Sequence, residues 1–296
     1  MTSQITPVTD GQIAQVKTLV EAAVRKSGLD KDGLQLVIAN GDGLQGRLVP
    51  ILQELGGAGP NPYEDERTKQ SYYYPPKGWT VPSFSEQLQR LGNLLPGLTL
   101  PTQAPEIAVP KGFDSFAIVP KVSALGRIFS IQDPYGAGYG QVVEQLLGLI
   151  DKQRKFYNCR KGELGPNYIR IEKRVRGRLQ MTESKAGGDC LVVPISFGNL
   201  YAGYSPRNAR ETALRAQQLP FITVQVASLL LVMPERLVSY DDLWIDVPGD
   251  QYDWLADGDW SNSLCFDFID VRLRFHASDA VYADGRYGSA VAFLGV

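Results

Sequence analysis

Apolar positions recur at helical spacing near the start of the chain. Ile13, Val16, Leu19, Val20 and Ala23 share one side of a helix over about 10–27, with Asp10 as N-cap and Gly28 as stop. A second helical stretch covers about 44–55 and stops at Gly56-Gly57, while Gly41-Asp-Gly43 with Gly46 reads as a turn. Pro60-Asn-Pro62, an acidic cluster and Tyr72-Tyr73-Tyr74-Pro75-Pro76 read as loop, followed by a short helix over 83–94. Pro96, Pro101, Pro105 and Pro110 then predict an extended linker. The chain is therefore expected to divide into a small helical N-terminal region, 1–107, and a larger domain, 108–296.

The larger domain opens with a strand pattern, Ser115 to Val122. Helices are predicted at about 139–157 and 166–183, and a strand over Asp189 to Ser196. Ser205 followed by Pro206 is a helix start, because proline at the first helical position loses no hydrogen bond. The nearly all-apolar stretch over 219–234 predicts a buried helix. Beyond Asp241, short strands alternate with turns at Asp250, Asp257-Gly258 and Asp284-Gly285. Helices first and short strands last indicate an α+β fold that closes with a small sheet.

Near the end of the chain the period becomes two. Phe266 and Phe268 alternate with Asp267 and Ile269, and Leu273 and Phe275 with Arg272, Arg274 and His276. One strand face is regularly apolar and reads as core. The opposite face carries no chemical theme, and Ala277 to Ala283 shows no pattern. Tyr287 to Leu294 returns to a small-residue, apolar strand suited to burial.

Composition sharpens this contrast. Residues 252–296 contain no Lys, Glu, Gln or Met, whereas the preceding 251 residues contain 12, 12, 19 and 3 of them; at 46 in 251, about eight would fall in the last 45. Polarity is not the cause, since the same segment is rich in Asp and also holds Arg, Ser and Asn. The low β-propensity of Lys and Glu accounts for part of the depletion. The genetic code matches the missing set: randomising the first two bases of an Asn codon ending in a pyrimidine cannot produce Lys, Glu, Gln, Met or Trp. Trp254 and Trp260 would then be fixed scaffold, and the segment reads as one diversified by adenine-directed mutagenesis.

Charge and chemistry narrow the alternatives. A net charge of −2 argues against a bulk binder of nucleic acid or anionic membrane. The basic run Arg170 to Arg178 reads as the solvated face of a helix. The longest apolar stretch, Phe221 to Met233, is too short to span a bilayer, and no signal peptide is visible. Three dispersed cysteines, Cys159, Cys190 and Cys265, form no complete disulfide framework. With one histidine, His276, triad and His-based metal chemistry have little support, and His276 reads as a surface side chain. Gly136-Ala-Gly138-Tyr-Gly140 lacks the flanks of a phosphate-binding loop and reads as a helix-entry loop. Asp241, Asp242, Asp246 and Asp250, followed by Asp253, Asp257 and Asp259, are dense enough in oxygen ligands to raise a second reading, a metal-assisted hydrolase.

The C-terminal motifs carry a resemblance. Trp244-Ile-Asp246, Gly249-Asp250, Asp257-Gly-Asp-Trp260, the two alternating pairs and Tyr287-Gly-Ser-Ala-Val-Ala-Phe-Leu294 resemble the variable proteins of diversity-generating retroelements. The region from Phe116 onward also resembles uncharacterised proteins of small-genome bacteria and archaea. The resemblance implies a C-type-lectin-like domain of the formylglycine-generating-enzyme type, a variable region over about 252–290, and binding without catalysis or cofactor. It implies ligand contacts from Ser261, Asn262, Leu264, Cys265, Asp267, Ile269, Val271, Arg272, Arg274, His276, Asp279, Val281, Tyr282 and Arg286. Their placement here follows from alternation and lack of pattern. Tyr282, Arg272, Arg274 and Ile269 suit anchor roles by residue type. The implied partner is a protein or cell-surface ligand, met by a protein displayed on a cell or virion surface, with no nucleic acid and no membrane insertion. The enzymes of that fold use cysteines near the C-terminus, whereas this tail holds only Cys265, which weighs against an inherited oxidase activity.

Overall fold

The structure is a computed structural model that describes residues 8–56, 60–104 and 108–294. It divides into two compact units, Met1–Gly59 and Pro60–Val296. The first unit contains α1 (Asp10–Lys26), α2 (Lys31–Ala39) and α3 (Gly41–Gly56). Thr9, one residue before the expected cap, starts α1: Gln12 N–H donates to its hydroxyl, and the Gln12 side chain accepts from Thr9 N–H at 2.9 Å. α2 is a helix the periodicity did not announce, capped by the Asp30 side chain on Gly33 N–H at 2.8 Å. Gly41, Gly43 and Gly46 lie inside α3, not in a turn. No residue of α1 or α2 is buried, because each helix is amphipathic with few neighbours to cover it.

The second unit starts well before the expected boundary at 107. Thr68 N–H donates to Gly203 O at 2.7 Å, and Tyr73 N–H to Asp241 O at 2.8 Å. In α4 (Phe84–Leu94), the Gln87 side chain accepts from Ile118 N–H and donates to Phe116 O, both at 3.0 Å. Leu91 and Leu95 are sealed into the main core. The Pro-rich stretch lacks periodicity because its partners are distant in sequence, but it is part of this body. Pro105 lies outside the described residues.

Next come β1 (Ser115–Pro120), α5 (Val122–Ile128), α6 (Tyr139–Gln153), β2 (Phe156–Asn158) and β3 (Ile169–Ile171). They are followed by α7 (Lys173–Lys185), β4 (Cys190–Ala202), α8 (Pro206–Arg215), β5 (Gln218–Pro220) and α9 (Thr223–Val232). The chain ends with β6 (Trp244–Tyr252), β7 (Asn262–Ile269), β8 (Arg272–Asp279) and β9 (Tyr287–Phe293). The predicted helix over 166–183 is therefore a short strand and a later helix, with Glu172 capping α7 through Arg174 and Val175 N–H at 2.8 and 3.0 Å. Ser205 caps α8 as expected, and every residue of α9 is buried.

The α+β fold is borne out, with one mixed sheet in the order β1-β4-β9-β6-β7-β8-β2; β3 joins β6, and β5 joins β9. The last strand is central, antiparallel to β4 and parallel to β6. It can sit there because Gly288, Ser289, Ala290 and Ala292 leave room for close neighbours. A Cβ on Gly288 would stand 2.2 Å from Gly198 O. α6 and α9 pack together behind the sheet, with Leu146, Leu147, Leu229 and Leu230 against Phe266, Phe275 and Ala290 in one core. Among the described residues, no helix is long and apolar enough to cross a membrane.

Candidate functional site

The alternation along the β7–β8 hairpin sorts its side chains as expected. Leu264, Phe266, Leu273 and Phe275 are fully buried, and all belong to the core. The register pairs Cys265 with His276, Asp267 with Arg274 and Ile269 with Arg272 on the opposite face. Two further strands extend that face. Asp246 stands opposite Cys265 on one side and Ser289 on the other, while Trp244 pairs with Tyr287. Directly paired residues point the same way, so Ser289, Asp246, Cys265 and His276 form a row across four strands.

A charged network ties this face together. Arg274 grips Asp267 through Nε and Nη2 at 2.8 and 2.6 Å. His276 Nε2 stands 2.9 Å from Asp267 Oδ2, and 3.3 Å from both Cys265 Sγ and Tyr287 Oη. Burial works to raise the pKa of Asp267, but the hydrogen bonds from Arg274 and His276 outweigh it, and the carboxyl lies below its ordinary range. Burial, followed by the nearby Asp246 and Asp267 charges, pushes the Cys265 thiol well up. A thiol needs its thiolate to attack. Its burial and raised pKa therefore work against a nucleophilic role for Cys265 beside His276 and Asp267.

The predicted contact residues do not form one pocket. Leu264 is a core residue with no exposure, so its assignment as a ligand contact is corrected: residue 264 falls on the inward parity of β7. Cys265 and Asp267 face outward but are buried, and form a floor beneath Arg274 and His276. His276, with 20% of its side chain exposed, is part of this network and not a surface side chain. Ile269 is half-buried, and Val271 is 74% exposed at the hairpin tip, where it and Asp270 take positive φ. Arg272 lies over the Tyr157 ring at 4.8 Å. At the other end, Ser261 and Val281 line a cleft of ≈250 Å³ with Trp260 and Arg207, and Asn262 is half-buried nearby. Asp279 is exposed and accepts Val281 N–H at 3.0 Å, and Tyr282 is exposed. Arg286 covers Trp244, with its guanidinium 5.0 Å from the ring centre. These residues span the length of the strands, roughly 25 Å at ~3.4 Å per residue over β8.

Several members of the face had no signal in the tail itself. Trp244 and Asp246 alternate along β6. Tyr287 and Ser289 join only because β9 inserts beside β6. Tyr72 and Tyr240, which pack edge-on against Trp244 at 5.2 and 5.5 Å, come from irregular segments.

The other motifs resolve into structure. Asp242 accepts Val238 and Ser239 N–H at 2.9 and 2.8 Å, and Asp241 is exposed. Asp250 accepts from Tyr139 Oη at 2.8 Å and from Thr223 N–H at 2.8 Å on the helix side. Burial raises its pKa to about 6, against the pull of those bonds. A register shift between Val247 and Tyr252 turns Asp246 and Asp250 to opposite sides, so the four acids do not converge. Among the described residues, no group of three or more His, Cys, Asp or Glu side chains could hold a metal ion. In the Gly136 loop, Asp133 takes the amides: its carbonyl accepts Gly136 and Gly138 N–H, and its side chain accepts Ala137 N–H. In the basic run, Arg174 pairs with Glu172 and Glu211, Arg178 donates to Leu214 and Gln218 carbonyls, and Arg170 stacks on Trp260 at 3.9 Å. Lys173 and Arg176 are the exposed cations of α7's first turns. No known protein family, curated protein or solved structure matches this chain.

Proposed function

We propose that this chain is a non-enzymatic ligand-binding protein whose outward β6–β7–β8 face and flanking loops are diversified at the DNA level. In this reading it is a variable protein of a diversity-generating retroelement, with a C-type-lectin-like domain over the second unit. The observation that carries the reading is the separation of roles in the tail. Inward positions are regular, with Leu264, Phe266, Leu273 and Phe275 sealed and Phe268 partly buried. Ile269, Val271, Arg272, Arg274, Asp279, Val281, Tyr282 and Arg286 reach the surface with no common chemistry. A rigid hydrogen-bonded sheet lets such side chains change without moving the backbone. Buried Cys265 and Asp267 act on a ligand only by positioning His276 and Arg274. Tyr282, Arg272 and Arg274 are the anchor types of protein interfaces, and the partner is a protein or cell-surface molecule.

Sequencing the DNA around the gene tests this. The expected result is a near-copy of codons 252–296 beside a reverse-transcriptase gene, with Asn codons at the surface positions and every difference at an adenine. A neighbourhood without such a copy removes diversification from the reading.

A further inference from the structure

The β9 side of the face holds an aromatic box. The Trp244 ring meets Tyr72, Tyr240 and Tyr287 edge-on, at 5.2, 5.5 and 5.0 Å between ring centres. Trp244 is only 2% exposed, whereas Arg286 above it has 42% of its side chain exposed. Arg286 therefore stands between the indole and solvent. Its guanidinium is held by the Asp284 carboxylate, with Nε to Oδ1 at 3.0 Å and Nη2 to Oδ2 at 2.5 Å. Asp246, in the same strand as Trp244, is buried, and that burial, followed by the nearby Asp284 charge, holds its carboxyl well above the usual carboxylate range. Buried Trp244 Nε1 and Ser289 Oγ are unpartnered. Aromatic rings beside the Asp284 carboxylate, which its bonds to Arg286 hold below the ordinary range against burial, are an arrangement that attracts organic cations, through ring quadrupole and charge together.

The geometry points to a cation-recognition subsite at Trp244, filled in this chain by its own Arg286, which opens to a ligand's ammonium or guanidinium group when residue 286 is small. This deepens the binding-face reading and rests on it. Trp244, Tyr72 and Tyr240 lie before residue 252, in the invariant part of that reading, and residue 286 lies inside the diversified part. Change at one surface position would then switch a fixed box between closed and open, with Asp284 released from Arg286 to face the incoming charge. The ligand class is an organic cation, an ammonium or guanidinium group that the partner presents to the ring.

Choline and its neutral isostere 3,3-dimethylbutan-1-ol are suitable probes, read by the indole N–H resonance of Trp244 in the full chain. Arg286→Ser should bind choline at least ten-fold more tightly than the unaltered chain, about 1.4 kcal/mol. Arg286→Lys, which keeps an occupant, should stay closed, and the isostere should shift nothing. Arg286→Asn serves as a second small replacement if the Ser variant is unfolded. Equal choline response in all variants, or an isostere as effective as choline, overturns the subsite. A positive choline result without a template copy in the genome would instead overturn diversification alone.

Discussion

At the residue scale, the acids of this chain behave according to what surrounds them. Asp267 and Asp250 are both buried, yet their pKa values move in opposite directions. Asp267 is met by a guanidinium and an imidazole, which favour its charged form. Asp250 is met by a tyrosine hydroxyl and an amide N–H, which do not offset desolvation. Its folded pKa of about 6 exceeds the unfolded value near 3.9, so the native state binds the extra proton between them. Stability from this group is then greatest below about pH 4, falls as pH rises to about 6, and stays lower above that, by roughly 3 kcal/mol. Asp250→Asn should remove that fall. Urea melts at pH 4.5 and 7 should show the unaltered chain losing stability relative to the variant at the higher pH. Parallel changes in the two proteins would refute the assignment to Asp250.

At the element scale, the glycines at the start of α6 are explained by packing. A Cβ on Gly140 would stand 1.5 Å from the Leu164 carbonyl oxygen, and one on Gly138 would stand 2.1 Å from Gln132 O. Both obstacles are backbone, so no rotamer change relieves them. Gly140→Ala should cost at least ~3 kcal/mol, the upper range for overpacking, and lower the melting temperature sharply. Gly148→Ala in the same helix, where a Cβ meets nothing within 4 Å, should be neutral or stabilising. Equal melting temperatures for the two variants would show that α6 is free to shift away from Leu164. Those glycines were visible in the sequence, but the reason for Gly140 was not, since it lies in the carbonyl of Leu164, more than twenty residues away.

At the scale of the whole molecule, the place where the chain divides is testable by truncation. Residues 60–296 contain α4, with Leu91 and Leu95 in the core, and the Tyr72–Tyr74 segment paired with Asp241–Leu243. A protein of residues 60–296 should melt cooperatively, close to the transition of the second unit in the full chain. A protein of residues 108–296 loses those core side chains and the Gln87 bonds to β1, and should unfold at a markedly lower temperature or aggregate. If the shorter protein were as stable as the longer one, the segment 60–104 would be an appendage and the body would begin at the linker.

The sequence alone determined what depends on neighbours along the chain. Helical spacing marked α1, a nearly all-apolar run marked α9, the Ser-Pro start marked α8, and period-two alternation marked both faces of the β7–β8 hairpin, because each signal lies within a short local stretch. The unusual composition of the last 45 residues was equally legible, since it is counted along the chain without reference to contacts. Tertiary structure decided what depends on distant partners. It placed β9 at the centre of the sheet and turned Asp246 and Asp250 to opposite sides through a register shift. It also brought Tyr72 and Tyr240 to Trp244 from irregular segments that carry no periodicity. Register and strand order arise from long-range pairing, which no local pattern encodes.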